Sequence, residues 1–251
     1  SSKTDVVLAT CCPSVVDYIK IYYPELEKNL APFVSPMIAH ARMLRAAGYS
    51  NSRLVFIGPC IAKKQESDIY GDEIDATLTY EEYRSLMDTQ GVCFEDMERI
   101  TLPAGFLIGA SDRAGLFPVD SGMISTMCKE IKPVDSGFMS FSGMKSVMEI
   151  CGEIGTWNPG SRLFIELMAC EGGCIKGPAT RKGGGVAAKR NRLLRDFDIF
   201  KRSGLAISLP KAKIDLSSEK YKLPYKINCA YSESDIKAVL ESMGKHSKAD
   251  E

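Results

Sequence analysis

Three times along this chain an apolar run ends in a turn that carries cysteine, and that recurrence constrains the fold more than any other feature. Val6-Val7-Leu8-Ala9-Thr10 leads into Cys11-Cys12-Pro13, and Arg53-Leu54-Val55-Phe56-Ile57 into Gly58-Pro59-Cys60. Arg162-Leu163-Phe164-Ile165-Glu166-Leu167-Met168 leads into Ala169-Cys170. Continuous apolar runs of this length fit strands buried on both faces, hence parallel strands of an α/β fold. Helical stripes lie between them. Ser14 to Tyr23 puts Val15, Val16, Ile19 and Tyr22 on one face behind Pro13, which suits a first helical turn. Pro36 to Ala47 is another helix, closed by Gly48. Thr79 to Met87 opens with a capping box formed by Thr79 and Glu82. Ile124 to Lys129 and Met144 to Ile150 are helical as well. The cysteines thus stand where strands end and helices begin, the edge at which open α/β sheets place their ligands. Gly177 to Gly185 reads as a loop, Lys189 to Arg195 as a basic, solvated helix face, and Ser232 to Leu240 as a short closing helix.

A length of 251 residues is enough for one large domain or two intimately packed lobes. Lys+Arg and Asp+Glu both number 32, so no net field points to nucleic acid or an anionic membrane. No apolar run approaches a membrane span, and Ser1-Ser2-Lys3-Thr4-Asp5 does not read as a signal peptide, so a cytoplasmic setting is expected. Nine cysteines, an odd number in a chain this large, do not suit a framework of disulfide staples. Several cluster at glycines and prolines, which suggests metal ligation. The two histidines, His40 and His246, offer little to a His-rich zinc site or a catalytic triad. His246 sits in a polar tail and reads as a surface residue. His40, inside Pro36-Met37-Ile38-Ala39-His40-Ala41, reads as a helix-packing residue.

Cys170-Glu171-Gly172-Gly173-Cys174 is the densest chemical signal. A C-x3-C pair with two internal glycines lets the backbone fold closely around something bulky while both sulfurs point the same way. Zinc sites usually bring two such pairs or histidines, and no second close pair of that kind exists here. Thiolates gathered from distant strands suit iron–sulfur cubes, which take four cysteines. The candidates are Cys12, Cys60, Cys170 and Cys174. A zinc-binding interaction module is the alternative that metal analysis separates at once.

Thr10-Cys11-Cys12-Pro13 resembles the first signature of the iron-only (FeFe) hydrogenases, T-S-C-C-P-x-W. Pro59-Cys60-Ile61-Ala62-Lys63-Lys64-Gln65-Glu66 resembles the second, M-P-C-x-x-K-x-x-E. Glu166 to Cys174 resembles the third, E-x-M-A-C-x-x-G-C-x-x-G-G-G-Q. The three occur in the family's order, and Tyr22-Tyr23-Pro24-Glu25-Leu26 and Ser35-Pro36 extend the resemblance, which runs from the first residues to about Gly177.

The resemblance implies a two-lobed α/β H-cluster domain over residues 1–251, parallel-strand sheets flanked by helices, with the cofactor between the lobes. Cys12, Cys60 and Cys170 would hold a 4Fe–4S cube, and Cys174 would bridge it to a di-iron subsite carrying CO, CN⁻ and an azadithiolate, inserted by maturases. The reaction implied is H2 ⇌ 2H⁺ + 2e⁻, with ferredoxin-like iron–sulfur modules as electron partners and a possible downstream signalling domain. Lys63 would donate a charge-assisted hydrogen bond to a cyanide. Met168 would pack against the bridging carbonyl, or serve the core. Cys11, beside a ligand yet not needed for the cube, would relay protons, a job a thiol can do near neutral pH with modest tuning. Glu66 would orient the second loop. Cys93, Cys128, Cys151 and Cys229 match no motif and read as packing or incidental thiols.

The departures point to the sensory-type members, with low turnover. Val15 and Val16 follow Ser14 where the family has tryptophan nearby. Gly58 replaces the methionine before Pro59. Ala31 stands where a proton-conducting serine is expected, and Gly177-Pro178-Ala179 replaces the triple glycine. Family members also carry a stretch of the domain before the first motif, so the chain reads as incomplete at its N-terminus and cut from a longer multidomain protein. The oxygen lability of such centres suggests an anaerobic cytoplasm. A hydrogenase-like assembly factor of the Narf group, holding cubes without the di-iron subsite, is the competing function; Cys11, Lys63 and Met168 argue against it.

Overall fold

Strand β5 (Leu163–Met168) lies between β1 (Val6–Leu8) and β4 (Phe138–Ser142) in a three-stranded sheet, parallel to both. A computed structural model describes residues 6–92, 114–127, 137–157, 161–180, 183–202, 214–218, 221 and 233–242. In the registers, Val6 stands opposite Leu163 and Ser142 opposite Met168. β5 is the buried parallel strand its sequence suggests: Leu163, Ile165, Leu167 and Met168 are buried. Glu166 is buried among them, a carboxylate in the middle of an apolar strand.

A second, two-stranded sheet pairs β2 (Val55–Gly58) in parallel with β3 (Ala76–Thr79), Val55 opposite Ala76. Here the expectation of burial on both faces fails. Val55 is 50% exposed and Ile57 36%. Among the described residues β2 has one strand neighbour, so its apolar run covers only part of a small sheet. β3 and β4 were not legible as strands, because each is short and mixes Ser, Thr or Met into its apolar positions.

Helix α1 (Pro13–Tyr22) joins the two sheets. Val15 and Ile19 pack into the core built from β1, β5 and α6 (Met144–Glu153), while Val16 belongs to a second core with Ile38 of α2 (Pro36–Leu44) and Tyr70. Full burial of a Val or Ile side chain is worth about 1.5–3 kcal/mol, so the three residues tie both cores to one rod. Cys151 packs in the first core, as a structural thiol.

α2 ends at Leu44, and a π-type turn, Arg45–Tyr49, follows with Gly48 at φ 104°. Gly48 therefore closes a wider turn and not the α-helix itself. His40 is exposed on α2 while Met37, Ile38 and Ala41 are buried, which corrects the packing role expected for it. The remaining helices are α3 (Ala62–Ile69), α4 (Tyr80–Thr89), α5 (Gly122–Met127), α7 (Val186–Arg202), which contains the basic Lys189 to Arg195 stretch, and α8 (Glu233–Ser242). Residues 214–218 and Tyr221 lie against α2 and α1: Arg42 Nη1 donates to Ser217 O at 3.1 Å and Tyr221 Oη donates to Asp17 Oδ1 at 2.7 Å. No helix among the described residues is long and apolar enough to cross a membrane. Cys93, Cys128, Cys229 and His246 lie outside the described residues.

The capping box at α4 is present in both directions. Glu82 N donates to Thr79 Oγ1 at 3.2 Å, and Thr79 N donates to Glu82 Oε2 at 2.8 Å. Thr79→Ala is expected to lower stability by about 1 kcal/mol, read by denaturant unfolding.

Candidate metal centre

Parallel pairing brings the first and third cysteine turns together. Beyond β1, Ala9 N donates to Ile165 O at 2.9 Å, which keeps the chain alongside β5 until both leave the sheet at the same edge. Cys12 sits immediately before α1, its carbonyl accepting from Val15 N and Val16 N at 3.1 Å each. Its sulfur accepts backbone N–H hydrogen bonds from Ala169 and Val15. Cys60 sits between the end of β2 and the start of α3, and Cys170 follows β5. Cys174 opens a short 3-10 turn, Cys174–Lys176.

The C-x3-C loop depends on its glycines. Gly172 and Gly173 lie at φ 74° and 93°, the left-handed region that favours glycine. A Cβ on Gly173 would lie 2.5 Å from Pro118 O, so the loop could not approach the neighbouring turn. Gly173 N donates to Cys170 O at 2.9 Å, and Gly177 N to Cys174 O at 2.9 Å, folding the chain tightly around the two sulfurs.

Electrostatics places the thiols in one site. Burial pushes Cys170 up to about 11, with Cys12 and Cys60 adding. Burial pushes Cys174 up to about 12, with Cys12, Cys60 and Cys170 adding. Cys12 is raised by burial and opposed by its two backbone N–H donors. Cys11 is raised well above the ordinary thiol value by burial, then by Cys12 and Glu166, with Lys63 opposing. Four thiols from three turns therefore converge, with the fifth beside them. Among the described residues no three His, Cys, Asp or Glu side chains stand close enough to hold a single metal ion. A cube asks for something different, one thiolate for each of four irons, and a sulfur set drawn from three turns with backbone N–H donors and a lysine at its edge fits that demand.

Lys63 is half-buried against buried partners. Its Nζ donates to Glu66 Oε2 at 2.6 Å and to Ser35 Oγ at 2.8 Å, and Ser35 and Glu66 are each 2% exposed. An ammonium has three donors, so one remains for a further acceptor, and the charge acts on Cys11, Cys12 and Cys174. Glu66 thus serves the second loop by holding its lysine. Ser35 appeared in the sequence only as part of a family resemblance, and its pairing with Lys63 needed the fold. Met168 is 2% exposed at the end of β5. Ala31 is buried and lines a cleft of about 550 Å³ with Ser35, Glu66 and Tyr70. A second cleft, of about 630 Å³, opens beside Cys174 between Pro59, Pro118 and Phe197 of α7.

The family model described as "Iron only hydrogenase large subunit, C-terminal domain" matches residues 1–178. The chain belongs to the iron-only hydrogenase family. It is 26% identical to the periplasmic [Fe] hydrogenase large subunit of Nitratidesulfovibrio vulgaris, with 70% of this chain and 52% of that protein covered. It is also 26% identical to iron hydrogenase 1 of Clostridium pasteurianum, over 68% of this chain and 37% of that protein. The chain thus spans about half or less of the length of these curated relatives. The fold matches [FeFe]-hydrogenase HydA1 from Chlamydomonas reinhardtii with a TM-score of 0.54 at 15% identity, covering 75% of this chain and 65% of that one. An α/β iron-only hydrogenase domain is therefore the fold.

Glu166 gives this site a pH signature. Burial raises its carboxyl, against the N–H groups of Ile124 (3.1 Å) and Met123 (3.5 Å), and Asp120 raises it further. The folded state therefore holds this proton at pH values where the unfolded chain has released it. Its stability contribution is intact below the ordinary carboxyl value and is lost as pH rises through the raised one. Glu166→Gln in the metal-free protein is expected to flatten that decline, as read by denaturant unfolding across pH 4–8.

Proposed function

We propose that this chain is the H-cluster domain of a hydrogenase whose weight lies on sensing rather than flux. Cys12, Cys60, Cys170 and Cys174 would hold a 4Fe–4S cube and its associated di-iron subsite, the latter carrying CO, CN⁻ and azadithiolate ligands. When bound, that cofactor supplies the chemistry of H2 ⇌ 2H⁺ + 2e⁻. The observation that supports the subsite, and not the cube alone, is the common environment of Cys11, Lys63 and the four thiols. A cube needs neither a fifth thiol nor a half-buried ammonium.

The protein contributes position, charge and proton handling. Glu66 and Ser35 hold the Lys63 ammonium, whose remaining N–H would donate to a cyanide. The Cys11 thiol would hold and exchange a proton beside the cluster ligands. Met168 fills the apolar wall at the end of β5. Low turnover follows from Ala31, which has no hydroxyl to pass a proton onward, and Gly58 leaves a smaller wall than a methionine. Ferredoxin-like modules would deliver electrons, maturases would load the di-iron subsite, and a downstream domain would read its state in an anaerobic cytoplasm.

Infrared spectroscopy of anaerobically prepared, maturase-loaded protein is expected to show metal-bound CO and CN⁻ bands that shift under H2. Iron and sulfide without those bands would overturn the hydrogenase activity in favour of a cube-only, assembly-type protein. Cys11→Ala is expected to keep iron content and CO bands while lowering H2 oxidation by about 100-fold or more, the scale of losing a positioned proton donor. Cys170→Ser is expected to lose the cube, measured as iron per chain.

A further inference from the structure

We propose that Ser142 and Asp120 form a positioning relay that holds the Cys170–Cys174 loop and tunes the cube it carries; this rests on the cluster-binding role proposed above. Within the loop Gly173 N donates to Cys170 O, but Gly172 N–H points out and donates to Ser142 Oγ at 2.9 Å. Ser142 ends β4, opposite Met168, and its hydroxyl donates in turn to Asp120 Oδ2 at 3.0 Å. A hydroxyl has one proton to give, so accepting from Gly172 and donating to Asp120 fix its orientation. The side chain of Asp120 thus reaches the midpoint of the C-x3-C loop through one oxygen atom.

Asp120 lies in a turn shaped for contact with that loop. Ile175 N donates to Pro118 O at 3.2 Å, and the same carbonyl packs against Gly173. Next to Asp120, Ser121 has φ 63°, a left-handed conformation that is strained for a non-glycine residue. Ser140 Oγ holds it there by accepting from Ser121 N at 2.9 Å, and Arg190 of α7 donates to Asp120 O at 3.5 Å. The other carboxylate oxygen of Asp120, Oδ1, is buried with no hydrogen-bond partner among the described residues. A buried acceptor left unpaired is destabilising, so folding alone does not account for a carboxylate at this place.

Two effects on the cube follow. The relay fixes the separation and direction of two of its four sulfurs, and it draws the Gly172 N–H toward Ser142 and away from other acceptors. It also places the carboxyl group of Asp120 beneath the loop. Reduction potentials of iron–sulfur cubes respond to net charge and to hydrogen bonding around the sulfurs, and outer partners of ligands affect metal retention.

The test uses the cube-containing protein, reconstituted anaerobically, with S142A, S142T, D120N and the S142A/D120N double variant. The readouts are iron release to a chelator, the electron paramagnetic resonance spectrum and midpoint potential of the reduced cube, and the melting temperature. S142A is expected to release iron about tenfold faster or more and to change the spectrum, while S142T restores both. D120N is expected to move the potential in the positive direction, and the double variant to release iron no faster than the worse single variant, because both act through one relay. Wild-type release and spectrum in S142A, no restoration by a folded S142T, or an unmoved potential in D120N would each overturn the relay. Should S142A not fold, S142T and D120N still decide it. A wild-type protein that takes up no cube overturns the cluster-binding role and the relay together. One that takes up the cube but shows no CO or CN⁻ bands overturns only the di-iron subsite.

Discussion

Cys12 and Cys170 stand side by side because β1 and β5 pair in parallel, and every other feature of the site is arranged around that pairing. Parallel neighbours end at the same edge of a sheet, so two chain segments far apart in sequence deliver their cysteines together. The continuing bond from Ala9 N to Ile165 O carries the alignment past the last regular strand pair. The N–H of Ala169 then reaches the sulfur of Cys12, a direct contact between the two turns. α1 starts at Cys12 and passes through both cores, which anchors that turn on the opposite side.

The third component arrives from a different sheet. β2 and α3 bring Cys60 and Lys63, and the bonds of Lys63 to Glu66 and Ser35 join α3 to the segment before α2. Breaking a buried ion pair by removing one partner typically costs about 3–5 kcal/mol, since the remaining charge stays buried. Lys63 and Glu66 therefore constrain each other, and the lysine head is held at the edge of the thiol group instead of sampling solvent. A site assembled across two sheets gains one property from this: its electrostatics is set by groups that none of its own turns could supply alone.

The buried acids divide between two kinds of support. Glu66 is ionically paired, whereas Glu166 is held by backbone N–H groups at the start of α5 with Asp120 close by. Burial penalises the charged form of Glu166 and that proximity adds to the penalty, so the strand that ends in Met168 carries a carboxyl raised above its ordinary value. Metal binding acts in the opposite sense on the thiols, which must lose theirs to become ligands. Protons therefore enter the chemistry of this domain at two levels, in assembly and in the environment of the assembled site.

The sequence by itself determined the family signatures and the elements at whose ends the cysteines stand. Cysteines at the ends of apolar runs, the glycines of the C-x3-C loop and the Thr79–Glu82 cap are local patterns whose meaning depends on neighbours a few residues away. It also misjudged β2 and His40, because burial depends on how many layers cover a segment, and an apolar run looks the same under one layer or two. Only the tertiary structure decided that Ser35 would hold Lys63, that Asp120 would reach Gly172 through Ser142, and that Val15 and Val16 would enter different cores. Such partnerships join residues with no periodic or spacing relationship, and polar side chains of ordinary type acquire a role only when the fold removes their water and leaves each other as the remaining partners.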